Sequence, residues 1–329
     1  MSKQLGEANL EQFKDQVAII TGAGNNGIGW GLAKHTALDL EMHVVLVDLH
    51  VAVVEGACSE LRKLAPNRHI VGLQCDVTKI EELEQLAKVV NEKLGDYPIG
   101  MVFANAGVIF NNTILKSSLE DWRITLEVNV LGVVSTAKVF IPILERQATG
   151  SLFCPTASVG GLVRGDGGAA SYQASKHAVV ALTESLSFEI AKKSPHVRIC
   201  VLCPCIVSSS LPLSSLLNKS VSKGEASDPL EQIRPAYSEF AMTPENHAKQ
   251  VFDLISKGKF YLVTDNVRPY VEHDYPFEAK RIIKERFENL ENLDLDNSDA
   301  FLEQSKGHPS SILKGAMFKE IGRLAKSDQ

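Results

Sequence analysis

The sequence has no surplus of basic residues, no apolar segment near its start and no long hydrophobic run free of charge. Each absence removes a class of function. Lys and Arg total 34 against 40 Asp and Glu, a formal charge of −6, so charge alone recruits neither nucleic acid nor an anionic membrane. The acidic excess is spread along the chain and reads as a solvated surface. Met1 to Lys14 is polar and charged and lacks the apolar core of a secretory signal. The longest nearly apolar stretch, Val128 to Leu144, contains Lys138 and is expected to be a buried helix, not a membrane span. The cysteines at 58, 75, 154, 200, 203 and 205 lie mostly in apolar runs with no histidine cluster beside them. They are expected to serve as small hydrophobes, with no metal site. Free thiols and the missing leader make the cytoplasm the expected compartment. Internal repeats and low-complexity segments are also lacking.

What is present suits a globular enzyme-sized chain. Of 329 residues, 44% are hydrophobic and 22% charged, enough for a substantial core. Short β-rich runs alternate with longer helical patterns. Strands are expected at 16–21, 43–48, 69–76, 100–104, 151–156 and 197–203. Helices are expected at 29–40, 51–64, 80–94, 119–146 and 170–193. This rhythm implies a Rossmann-like doubly wound parallel sheet flanked by helices, an α/β fold. Runs such as Val44-Val45-Leu46-Val47 are apolar at every position, as a sheet covered on both faces requires. Residues 208–240 are rich in Ser and Pro, a composition suited to a segment covering a site. Thr243-Pro244-Glu245 reads as a helix start, followed by a last strand at 259–264. An amphipathic helix at 275–291 and a weaker one at 311–326 suggest a helical C-terminal extension.

Thr21-Gly22-Ala23-Gly24-Asn25-Asn26-Gly27-Ile28-Gly29 follows the first strand and opens the first helix. Glycines there let the backbone approach a pyrophosphate, which would meet the free N–H groups of the helix start. Glycines also mark ordinary turns, so the strand before and the helix after carry the inference. Asp48 ends the second strand. Its carboxylate can accept hydrogen bonds from adenosine ribose hydroxyls and would repel a 2′-phosphate. Leu49 and His50 follow, with no Arg or Lys. NAD(H) is therefore expected in preference to NADP(H). Asp48 could alternatively only cap the helix near Val51. Asp76 could receive the adenine amino group while Val77 packs on the ring, or Asp76 could be a second cap.

Tyr172 and Lys176 lie four apart in a helical segment and so share a face. An ammonium beside a phenol lowers its pKa from about 10 and makes proton exchange with an alcohol feasible near neutrality. That spacing is common by chance, but Ser158 lies 14 residues upstream of the tyrosine, at the end of an apolar strand. Its hydroxyl could steady charge on a substrate oxygen, with Thr156 as local competitor for the role.

With these motifs the chain resembles the short-chain dehydrogenase/reductase family. Asn105-Ala106-Gly107 matches that family's N-A-G motif, and Asn129 in Asn129-Val130-Leu131-Gly132 its catalytic-helix Asn. Pro204-Cys205-Ile206-Val207-Ser208-Ser209 matches its P-G-x-V-x-T segment. The resemblance implies a relay through Asn129, Ser158, Tyr172 and Lys176, with Asn129 holding a water. It further implies that Lys176 binds the nicotinamide ribose, Asn105, Ala106 and Gly107 support the cofactor pocket, and Pro204, Ile206 and Ser209 flank the carboxamide. A homodimer or homotetramer, paired through the two long helices, also follows by resemblance.

Three departures stand out. The glycine loop carries one extra residue, the Ser158-to-Tyr172 interval is one longer than usual, and Cys205 replaces a Gly whose backbone could need positive φ. The reading is an oxidoreductase moving a hydride between NAD(H) and a hydrophobic secondary alcohol or ketone. Leu211, Leu213, Leu216 and Leu217 suggest the apolar character, although they could be ordinary helix packing. The alternative is a non-catalytic NAD(H)-sensing regulator or scaffold. Reduction of a C=N or C=C bond by the same residues is a third possibility. The expected division is an N-terminal lead at 1–15, an NAD-binding catalytic domain at 16–265 and the helical extension at 266–329.

Overall fold

The computed structural model describes residues 8–24, 27–162, 168–209, 211 and 241–264. Six parallel strands form one sheet: β1 (Val17–Thr21), β2 (His43–Asp48), β3 (Ile70–Gln74), β4 (Ile99–Ala104), β5 (Ser151–Pro155) and β6 (Val197–Ile199). Their order is β3-β2-β1-β4-β5-β6. The chain winds outward from β1 to β3, then crosses back to lay β4 against β1. That reversal leaves a crevice beyond the carboxyl ends of β1 and β4.

The helices are α1 (Ile28–Leu38), α2 (Val51–Leu64), α3 (Ile80–Leu94), α4 (Leu119–Leu126), α5 (Gly132–Arg146), α6 (Ala170–Lys193) and α7 (Pro244–Ser256). One face of the sheet packs on α1, α2 and α7 through Leu32, Ala33, Val54, Leu61, Val251 and Phe252. The other packs on α3, α5 and α6 through Leu83, Leu86, Val133, Phe140 and Val179. Along β2, Val44 and Leu46 enter the first core while Val45 and Val47 enter the second. This two-sided burial is the reason the strand is apolar at every position.

Two expected elements are each broken by one local feature. The long helix at 119–146 contains a π turn at Glu127–Leu131, where the Gly132 N–H donates to the Glu127 carbonyl. The expected strand at 197–203 divides at Cys200. Its first part pairs with β5, and its second, β7 (Val201–Cys203), pairs with β8 (Tyr261–Val263). Cys200 and Cys203 have the C-x-x-C spacing, a pattern that can signal a metal or redox site. On extended chain that spacing sends the two thiols to opposite faces, and they sit in different cores. Helix α7 starts as expected, with Thr243 Oγ1 accepting the Asn246 N–H at 3.2 Å. The expected helices at 275–291 and 311–326 lie outside the described residues.

Candidate active site

The glycine loop is shaped by contacts that only glycine tolerates. Gly22 has φ +62°, and a Cβ there would stand 2.8 Å from the Ala106 Cα. A Cβ on Gly29 would stand 2.4 Å from the Gly22 carbonyl oxygen. Gly27 caps α1 with extended backbone and no side-chain hydrogen bond, and among the described residues no side chain accepts from the first-turn N–H groups of Ile28 and Gly29. That is the donor set a pyrophosphate needs. Asn26 lies outside the described residues.

Asn105 ties this loop to the neighbouring strands. Its Nδ2 donates to the Thr21 and Gly22 carbonyls at 3.0 and 3.2 Å, and its Oδ1 accepts the Thr156 hydroxyl at 3.1 Å. Thr156 is thereby occupied in joining the ends of β4 and β5. Asp48 stands directly over the loop, accepting the Gly24 N–H at 3.0 Å and the His50 N–H at 3.3 Å. The second bond is to the residue that precedes α2, and α2 itself has no side-chain cap. Asp76 forms a local turn with Thr78, whose N–H and hydroxyl donate to Oδ1 at 3.0 and 2.7 Å. Val77 is buried against Gly132, where a Cβ would lie 2.8 Å from its Cγ2; this contact faces the core.

Past the ends of β4 and β5, four elements converge on Lys176. The side chain is 3% exposed, and its Nζ donates to the Thr156 carbonyl at 2.7 Å. Nζ also lies 5.5 Å from the Tyr172 ring centroid. Burial lowers its pKa from 10.5 to about 8, because desolvation disfavours the ammonium. A Cβ on Gly107 would lie 3.1 Å from Asn129 Oδ1 and 3.5 Å from Lys176 Nζ, so that glycine is where the lysine, the π turn and the N-A-G loop meet. The Asn129 amide is fully engaged: Oδ1 accepts the Val108 N–H at 2.8 Å, and Nδ2 donates to the Val108 carbonyl and to Ser175 Oγ, both at 2.9 Å. Sequence reasoning passed over Val108 and Ser175. The available signal was a buried-face serine directly before the lysine and four residues after Ser171.

Ser158 follows β5 in extended conformation, and its Oγ accepts the Gly160 N–H at 3.0 Å. The hydroxyl proton is thereby left for another acceptor. Pro204 accepts the Val159 N–H at 3.0 Å, and the Ile206 carbonyl accepts the Met242 N–H at 2.9 Å. Ser209 Oγ accepts the Leu211 N–H at 3.4 Å. Among described non-glycine residues, positive φ occurs at Asp15 and Glu41. Cys205 is outside that region, so the expected strain at the Gly-to-Cys exchange is absent. The described residues include no group of three or more His, Cys, Asp or Glu able to hold a metal.

The short chain dehydrogenase family profile matches residues 16–216. A meso-2,3-butanediol dehydrogenase of Serratia marcescens is 33% identical over 226 residues, spanning 67% of this chain and 85% of its own. A short-chain dehydrogenase/reductase from Burkholderia phymatum, solved with NAD, is 30% identical with a TM-score of 0.68, covering 77% of this chain and 89% of that one. An alcohol dehydrogenase from Thermococcus sibiricus, solved with 5-hydroxy-NADP, is 28% identical with a TM-score of 0.62, covering 78% of this chain and all of that one, 100%. The chain belongs to the short-chain dehydrogenase/reductase family and is an oxidoreductase of that type.

Proposed function

We propose that the protein interconverts a secondary alcohol and a ketone using NAD(H), with Tyr172 exchanging the hydroxyl proton. The observation that carries this is the ammonium of Lys176. It is buried, anchored on the Thr156 carbonyl and placed beside the Tyr172 ring. A cation so placed favours phenolate, the form that takes a proton from an alcohol. Ser158 has its hydroxyl proton available for the substrate oxygen. Bound NAD would supply hydride acceptance or donation at its nicotinamide ring. On this reading the loop from Gly22 to Gly29 and the start of α1 hold the pyrophosphate, and Asp48 the adenosine ribose. Asp76 and Val77 border the adenine, while Pro204, Ile206 and Ser209 border the nicotinamide.

The substrate is a small-molecule alcohol or ketone. The Serratia relative's name specifies a secondary diol, which supports that class. Of the leucines behind the expected apolar character, Leu213, Leu216 and Leu217 lie outside the described residues. We assign residues 16–265 to the catalytic domain and 266–329 to an extension.

Tyr172→Phe is the test. Turnover of alcohols with NAD, followed by nicotinamide absorbance, should fall about 100- to 10,000-fold. Thermal unfolding and NADH binding should stay near wild type. Wild-type turnover in this variant would refute the assignment. Wild type that binds NADH but turns over no alcohol or ketone would favour the sensing role instead.

A further inference from the structure

Helix α6 meets α4 and the π turn through two polar rungs. Thr125 Oγ1 and Ser171 Oγ stand 3.3 Å apart. One helical turn on, Asn129 Nδ2 donates to Ser175 Oγ at 2.9 Å. Ser175 Oγ in turn donates to the Tyr172 carbonyl at 2.6 Å. All four side chains are essentially inaccessible to solvent. Each serine immediately precedes one of the two residues assigned to proton transfer: Ser171 before Tyr172, and Ser175 before Lys176.

Adjacent helical residues project about 100° apart. Pinning 171 against α4 and 175 against the π turn therefore turns 172 and 176 onto the neighbouring face, toward the ends of β4 and β5. An apolar helix contact tolerates small rotations, because dispersion and burial are weakly directional. Buried hydrogen bonds do not tolerate them, because a broken one leaves desolvated polar groups unsatisfied. Asn129 extends the second rung to both backbone groups of Val108, just beyond Gly107. One chain of hydrogen bonds thus runs from the expected cofactor pocket, through the π turn, to the backbone of the tyrosine.

We propose that Ser175 is a positioning residue, setting the rotation of α6 and thereby how Tyr172 and Lys176 face the ends of β4 and β5. The inference rests on the proton-transfer assignment of Tyr172. Ser175→Ala removes the acceptor of Asn129 Nδ2 and the link to the Tyr172 carbonyl. Its kcat for alcohol oxidation should fall about tenfold, with the KM for NAD within about twofold of wild type. The acidic limb of the kcat–pH profile should move to higher pH, because a turned α6 draws Lys176 Nζ off the Thr156 carbonyl that holds it beside the phenol, and a displaced ammonium favours phenolate less. Ser175→Thr keeps the hydroxyl and should restore both quantities.

A folded Ser175→Ala with wild-type kcat and pH limb overturns the proposal. So does a folded Ser175→Thr as impaired as the alanine variant, which would make the site one of packing. If Ser175→Ala fails to fold, Ser171→Ala tests the other rung. A smaller fall in kcat with the same displacement of the limb supports the proposal, and wild-type behaviour overturns it. Tyr172→Phe separates the two levels. Full activity there removes the functional reading itself. Inactivity there, together with a wild-type Ser175→Ala, removes only the positioning role.

Discussion

Lys176 keeps an amine in the interior with a peptide carbonyl as acceptor, and the consequence is measurable. Its folded pKa of about 8 lies below the ordinary lysine value of 10.5, so from about pH 8 to 10.5 the unfolded chain binds more protons than the fold. Stability contributed at this site therefore rises with pH across that window, and the burial penalty is fully present below it. Wild type should gain on Lys176→Met by roughly 2–3 kcal/mol between pH 7 and 10 in denaturant titrations. A constant difference would show that the amine ionises as it does in water. Asp48 offers a second residue-level test. Replacing its carboxylate by Ser should lower kcat/KM with NAD about tenfold and raise it with NADP; a wild type that already prefers NADP would sink the ribose assignment. The Tyr172–Lys176 pairing could be read from local spacing, and Asn129 only from the family resemblance. The contacts of Thr156 and Ser175 could not be read that way, because their partners lie on other elements.

At the scale of elements, most boundaries followed from hydrophobic period and glycine placement. The two breaks did not. A π turn adds one residue per turn without changing composition, so an apolar run with a single Asn reads as continuous helix. The division at Cys200 depends on which neighbour each half finds, β5 or β8, and pairing is a tertiary choice. Glycines within helices show the same limit of local reading. Gly31 in α1 and Gly56 in α2 look equally unfavourable by propensity, each costing about 1 kcal/mol against Ala. A Cβ on Gly56 would meet nothing within 4 Å, whereas on Gly31 it would stand 2.3 Å from the Pro244 carbonyl oxygen. Gly56→Ala should therefore stabilise by up to about 1 kcal/mol. Gly31→Ala should lose a net 1–3 kcal/mol or so, because overpacking against backbone outweighs the propensity gain. It should also raise the KM for NAD, since α7 follows Met242, which bonds to Ile206 and Ser208. Thermal melts that move the same way in both variants would contradict this.

At the scale of the molecule, the two long helical segments that cover one face of the sheet leave apolar surface uncovered. Leu119 is 87% exposed and Leu131 54%, and Leu126 is exposed between them. On α6 the exposed positions Ala174, Ala181, Ser185 and Phe188 recur at helical spacing, with Phe188 66% exposed. The same stretch, Leu119–Arg146, is apolar enough to pass for a membrane span by length and composition. Its inner face, however, is used: Val133, Phe140 and Leu144 are buried against the sheet. A membrane-spanning helix has no need of that sidedness. An outer apolar stripe on a helix already packed on one side fits a second protein surface better than lipid, and a symmetric contact between two copies would place the stripe against its own counterpart. Small side chains along α6 would let such helices approach closely. We therefore expect a homo-oligomer, a dimer or a tetramer containing that dimer, and the contact can be broken from one position. Leu131→Glu puts a carboxylate on each side of the proposed two-fold contact, at a cost of several kcal/mol through burial and like-charge repulsion. Residue 131 closes the π turn that carries Asn129, so NADH binding must be compared alongside mass. Sedimentation should show wild type at two or four times the chain mass of 35.9 kDa and the variant shifted toward one. A variant that keeps the wild-type mass would place the interface elsewhere.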